Sequence, residues 1–177
     1  MKITSLFCAL AFLYSFQIQA QSISGSLSLN GKSQTEIKLE TNSVVQLFKE
    51  FKTGKYQLKF NFKAEGVPQN IYKETIVLFE FKTEIYKDGK LVKNLSRKQP
   101  IPYFPGDMDL PAEAFDFIGL FTVTSWDDME RNPEMLGVMP EGNYSVKLYA
   151  NPVGLKGEIK PLNFNFALRK RPGRAKY

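Results

Sequence analysis

Apolar residues recur at every second position through most of the chain. Tyr56, Leu58, Phe60 and Phe62 alternate with Gln57, Lys59, Asn61 and Lys63, which gives a strand one apolar face. Leu162, Phe164, Phe166 and Leu168 repeat the pattern, as do Tyr144, Val146 and Leu148. Ile37 and Leu39 alternate with Glu36, Lys38 and Glu40. Ile23, Leu27 and Leu29 alternate with Ser22, Ser24, Ser26 and Ser28. Ile76-Val77-Leu78-Phe79 is continuously apolar, as expected of a central strand, and its continuation from Glu80 to Tyr86 alternates again. The inward positions predict a core of Leu58, Phe60, Phe62, Phe79, Phe81, Val146, Leu148, Phe164 and Phe166.

The turns agree with this pattern. Asp88-Gly89 sits between two apolar runs, and Asp-Gly suits a two-residue hairpin because both positions need positive φ. Pro140-Glu141-Gly142-Asn143 precedes another strand. About seven strands without a βαβ rhythm predict an all-β fold, an antiparallel immunoglobulin-like β-sandwich. The run Gly142-Asn143-Tyr144-Ser145-Val146-Lys147-Leu148 resembles strand starts of immunoglobulin-like sandwiches generally. That resemblance implies a fold and names no family. Gly54 to Phe60 shares its Gly-x-Tyr-x-apolar-Lys-apolar spacing. We read both as turn-to-strand starts, because a duplication would leave two units too small to hold a core.

Residues 99–139 break the alternation and are expected to form a partly helical insertion, long for a sandwich connection. Pro105-Gly106 suggests a type II turn. Asp109 is placed to cap a short helix through Phe117 that ends at Gly119, Phe121 to Thr124 to form a short strand, and Ser125-Trp126-Asp127-Asp128 to open a second helix. Tyr103, Phe104, Phe115, Phe117, Phe121 and Trp126 crowd this stretch beside its carboxylates. Open rings with nearby acids are what a sugar-binding platform needs, whereas rings at helical spacing more commonly enter a core. Trp126 and Tyr103 are the rings expected to be open. The expected ligand or partner rim is Tyr103, Asp107, Asp109, Trp126 and Asp127. Asp107, Asp109, Glu113 and Asp116 fall within ten residues, but the glycine and glutamate of a calcium-binding EF-hand loop are missing, so no metal is assigned.

Residues 1–20 read differently. Met1-Lys2 precedes an apolar run from Ile3 to Phe16, and Ala20 closes it. This is the pattern of a cleavable signal peptide, shorter than the ~20 apolar residues of a membrane-spanning helix. Export to the periplasm or cell surface is the expectation, with one domain over residues 21–168. Cys8, the only cysteine, leaves with the leader, so the mature chain can form no disulfide, which favours a bacterial envelope. The chain also has no histidine, which removes Ser-His-Asp triads, Cys-His pairs and His zinc sites. No spacing links another nucleophile to a base. Neither an enzyme nor a cofactor is expected.

Charge is concentrated at the C-terminus. The whole chain carries 24 basic and 18 acidic residues, and losing Lys2 leaves a net +5. Arg169, Lys170, Arg171, Arg174 and Lys176 account for all of it, so residues 21–168 balance. A neutral domain argues against a nucleic-acid-binding face. Residues 169–177 read as a basic, unfolded tail suited to an anionic membrane surface. The expected function is a noncatalytic binding or adaptor module of the bacterial envelope, with another envelope protein or a polysaccharide as partner. The alternative is a carbohydrate-binding module that uses the aromatic and acidic insertion. Nothing in the pattern sets an oligomeric state.

Overall fold

The structure, a computed structural model, describes residues 21–39, 44–116 and 141–169. The predicted signal peptide lies outside them. The alternating segments form strands β1 (Ser22–Leu29), β2 (Gln34–Ile37), β3 (Leu58–Glu65), β4 (Val77–Lys87), β5 (Lys90–Ser96), β6 (Ile101–Tyr103), β7 (Gly106–Leu110), β8 (Gly142–Pro152), β9 (Lys156–Lys160) and β10 (Leu162–Leu168). One helix, α1 (Val44–Lys52), follows β2.

The strands pair as two sheets. One has the order β7-β3-β1-β9; the other runs β2-β10-β8-β4-β5, with β6 beside the first residues of β4. Six of the eight pairings among the described residues are antiparallel. The parallel exceptions are β1 with β9 and β2 with β10. The second follows from a change of sheet. After β1 the chain turns through Asn30 and Gly31, both at positive φ, and joins the opposite sheet beside the last strand. A first strand divided between two sheets, with β10-β8-β4 facing β7-β3-β1, is an immunoglobulin-like sandwich.

All nine predicted core residues are buried. Phe60 and Phe62 of one sheet meet Phe79 of the other edge-on, each at 4.9 Å between ring centres. Burying each such ring is worth about 1.5–3 kcal/mol. Gly25 occupies an inward position of β1 opposite Phe62, where a β-carbon would run into the Asn61 carbonyl and Phe62. The hairpin between β4 and β5 turns on Asp88 (φ 47°) and Gly89 (φ 80°), as the Asp-Gly pair predicts.

Three expectations change. The described strands number ten rather than about seven, because β6 is only three residues long and β7 and β9 are short edge strands with little apolar content. Residues 101–110, expected inside the insertion, are strands. Asp109 caps no helix; it pairs with Lys59 inside β7, where Asp107 and Asp109 alternate with Met108 and the buried Leu110. The helix expected after it shortens to a 3-10 turn at Ala112–Ala114 behind Pro111. Finally, α1 was missed. Leu47, Phe48 and Phe51 recur at helical spacing; the first two are buried, and Phe51 packs against Phe164 at 6.2 Å. Lys49 and Lys52 suit its last turn.

Candidate functional site

The predicted rim does not assemble among the described residues. Tyr103 points into the sandwich, with ring centres 5.8 Å from Phe60 and 5.7 Å from Phe81. Burial pushes its hydroxyl pKa up. It is therefore not the open ring expected from the sequence, because β6 sets Tyr103 in register with the buried Val77. Asp107 and Asp109 stand on the outer face of the four-stranded sheet. Asp107 Oδ1 accepts from Asn61 Nδ2 at 2.5 Å, and Asp109 lies 4.0 Å from Lys59 Nζ. Trp126 and Asp127 lie outside the described residues. Among the described residues no three acidic side chains gather as a metal site. Arg169 donates to Asn143 Oδ1 at 2.9 Å, at the end of the sandwich where β8 begins. Lys170, Arg171, Arg174 and Lys176 lie outside the described residues.

The segment after β7 plugs the core. Phe115 is buried edge-on against Phe81 at 4.8 Å, and its carbonyl accepts from the buried Thr83 hydroxyl at 2.7 Å. Arg97 donates to the Glu113 carbonyl at 2.6 Å. Tyr103 and Phe115, two of the clustered rings, thus serve packing. Phe104 is exposed.

The outer face of the larger sheet carries a polar cluster that sequence reasoning missed. Glu84 Oε2 accepts from the Tyr86 hydroxyl at 2.9 Å and the Tyr149 hydroxyl at 3.0 Å, while Oε1 pairs with Lys82 at 2.6 Å. Lys82 lies over the Tyr149 ring and Lys147 over the Tyr86 ring, at 5.4 and 4.9 Å. The bonded Lys82 ammonium lowers the Glu84 pKa against the burial that raises it, and the two hydroxyls add to the lowering. Burial and the bond to Glu84 push Tyr149 up to about 12. The bond to Glu84 raises Tyr86 as well. Hydroxyls made harder to ionise are poor nucleophiles. The signal was present as outward i, i+2 pairs, Glu84 with Tyr86 and Lys147 with Tyr149, on adjacent strands.

A second surface is apolar. Four of the eight large apolar residues exposed among the described residues, Ile76, Leu78, Phe104 and Val153, share the outer face of the larger sheet at the end opposite Arg169, and two more, Ile71 and Tyr72, stand in the turn before β4. Register explains part of this. Leu78 lies opposite Pro102, and its carbonyl accepts the Val153 N–H at 2.9 Å, so three strands present one outward apolar row. The turn before β4 supplies the rest. Asn70 Oδ1 accepts the N–H groups of Tyr72 at 2.8 Å and Glu74 at 3.0 Å. Asn70 N–H donates to the Glu74 carbonyl, Lys73 N–H donates to the Asn70 carbonyl, and Asn70 Nδ2 donates to Glu74 Oε2. These bonds hold Ile71 and Tyr72 outward, 89% and 74% exposed.

No known family and no curated protein matches the sequence. Among solved structures, the chain is similar to the CARDB domain of a Pyrococcus furiosus protein, determined in complex with di-metal ions. The identity is 10% and the TM-score 0.23, covering 85% of this chain and 93% of that one. Among the described residues no helix is long and apolar enough to cross a membrane.

Proposed function

We propose that this chain is an exported, noncatalytic binding module of the bacterial envelope. The apolar end carries the reading. Exposed turns are ordinarily polar, and a contiguous apolar surface of several side chains marks a contact site. Here five hydrogen bonds organise the turn that displays Ile71 and Tyr72. The partner is an envelope protein. A polysaccharide would use the open rings Tyr72 and Phe104, but the aliphatic surface of Ile71, Ile76, Leu78 and Val153 suits protein better than hydroxyl-rich sugar.

Export rests on residues 1–20, and the missing histidine together with the raised tyrosine pKa values supports a noncatalytic role. The basic tail departs from the opposite end, about 35 Å away along β8. A module held to an anionic membrane by Arg169, Lys170, Arg171, Arg174 and Lys176 would therefore turn its apolar end away from that membrane.

The test is a photo-crosslinking residue in place of Tyr72, expressed in the native host. It should give a defined protein adduct at the envelope, with Val92 at the other exposed edge as the control. No adduct from position 72, or cytosolic protein retaining Met1, removes this reading.

A further inference from the structure

We propose that the outer face of the larger sheet is a glycan site, where a neutral, hydroxyl-rich polysaccharide chain crosses β2, β10, β8 and β4. This face is separate from the apolar end, and the proposal does not rest on the protein contact above.

Strand register builds the face. Glu36, Asn165, Ser145 and Tyr86 stand side by side in one cross-strand row. Gln34, Asn163, Lys147 and Glu84 form the next row, which Asn94 extends on β5. Their neighbours along each strand, among them Ile37, Phe164, Phe166, Val146 and Ile85, are buried, so both rows point outward. At about 4.8 Å per strand, each row is roughly 14 Å wide from β2 to β4. At one end a hollow of about 360 Å³ opens, lined by Glu36, Asn143, Ser145 and Asn165 around Gly89 and Ala167. Ligand pockets span roughly 300–1,000 Å³, so this hollow suits one ring of a chain that continues across the rows.

The chemistry of the face is unusual for a sheet. Asparagine is depleted in strands, because its side chain favours bonds to nearby backbone in turns. Four asparagines nevertheless stand outward here, Asn94, Asn151, Asn163 and Asn165. Positions that go against local preference are where function is expected. These amides are also available. Gln34, Glu36, Asn94 and Asn165 make no side-chain hydrogen bond to another described residue. Asn163 Oδ1 accepts from Ser145 Oγ at 2.8 Å, and its Nδ2 donates to no described residue. An amide both donates and accepts, which matches a sugar hydroxyl that does the same. Beside them the Tyr86 and Tyr149 hydroxyls and the Lys82 ammonium all bond Glu84, so the middle of the face is held in one arrangement.

Charge and composition choose the occupant. In the two rows and the adjoining Lys82, Glu36 and Glu84 balance Lys82 and Lys147. A neutral face gives no electrostatic attraction to nucleic acid or to an acidic polymer. Between β2 and β4 the two rows hold no aliphatic side chain, whereas a protein interface centres on apolar residues.

Affinity electrophoresis tests this, in gels containing dextran, laminarin, galactomannan or neutral polysaccharide extracted from the envelope of the native host. Polygalacturonate serves as the anionic comparison. At least one neutral polymer should retard the wild type. Gln34→Ala with Asn165→Ala should weaken that binding at least about tenfold and leave the melting temperature unchanged, because both side chains are exposed. Lys63→Ala, on the outer face of the other sheet, should bind as the wild type does. No retardation by any neutral polymer overturns the proposal, as does retardation indifferent to the double variant. Binding to polygalacturonate alone, lost on Lys147→Ala, would also overturn it and make the face an anion site. None of these results bears on crosslinking from position 72, so the failure of this site and that of the protein contact are read separately.

Discussion

The side-chain oxygen of Asn70 accepts the backbone N–H of Tyr72 at 2.8 Å, so an amide two residues away fixes the most exposed large ring among the described residues. The same oxygen bonds Glu74 N–H, which closes the turn. Asn70→Ala removes three side-chain hydrogen bonds at a solvent-exposed site. The expected global cost is small, about 1 kcal/mol, because water replaces them. The local effect is larger: amide exchange at Tyr72 and Glu74 should accelerate while the β3 and β4 amides stay protected. Unchanged protection at both would mean that Asn70 does not hold the turn.

The two sheets depend on a few rings. Phe60 touches Phe62, Phe79 and Tyr103, and Phe164 lies between the sheet and Phe51 of α1. Truncating either to alanine should cost about 3–5 kcal/mol, measured by chemical denaturation. A loss under about 1 kcal/mol at both would contradict the burial of this face.

The fold was legible where one face of a strand is buried. Tyr56 to Lys63 and Leu162 to Leu168 show this, because period two fixes which residues turn inward. Legibility failed at β7, where Gly106-Asp107-Met108-Asp109-Leu110 is an edge strand with a single buried residue. Its aspartates suit a helix cap equally well, and only the open side of β3 decides for a strand. Ile76 to Phe79 shows a subtler failure. The strand is interior, as expected, yet Ile76 and Leu78 face solvent. Continuous apolarity there reflects an exposed apolar surface rather than two-sided burial. For the same reason Tyr103 and Phe104, adjacent in sequence and alike in chemistry, go to opposite environments. The Glu84 cluster needed the register of β4 against β8, which no local pattern supplies.

That cluster predicts behaviour in alkali. Tyr149 has a folded-state pKa of about 12 against an ordinary 10.0, so the folded chain holds this proton more tightly than the unfolded chain. Its contribution to stability is complete below pH 10.0 and is lost as pH rises towards about 12. Glu84 behaves oppositely. Its pKa is lowered from 4.5, so its contribution is present above that value and is lost as pH falls through the lowered one. Tyr149→Phe should therefore flatten the fall in melting temperature above pH 10.0, with lysine titration common to both proteins. Parallel melting curves for wild type and variant across that range would show that the Tyr149 hydroxyl adds no pH-dependent stability.

The last prediction separates the tail from the fold. Arg169 still belongs to the domain, since it donates to Asn143 Oδ1, and Asn143 in turn exchanges backbone and side-chain hydrogen bonds with Asp88. Deleting residues 170–177 keeps that contact and removes Lys170, Arg171, Arg174 and Lys176, four of the five basic residues of the tail. Each charge near an anionic membrane contributes about 1 kcal/mol. The truncated protein should therefore lose most of its binding to phosphatidylserine vesicles and most of the salt dependence of that binding. Its melting temperature should not change, because no core residue lies beyond Leu168 among the described residues. Deletion through residue 169 should differ in one respect: losing the exposed Arg169 bond should lower stability slightly, by about 0.5 kcal/mol or less. A sharp drop in melting temperature on removing 170–177 alone would make those residues part of the folded domain. Undiminished vesicle binding would place the anionic contact on the body of the sandwich.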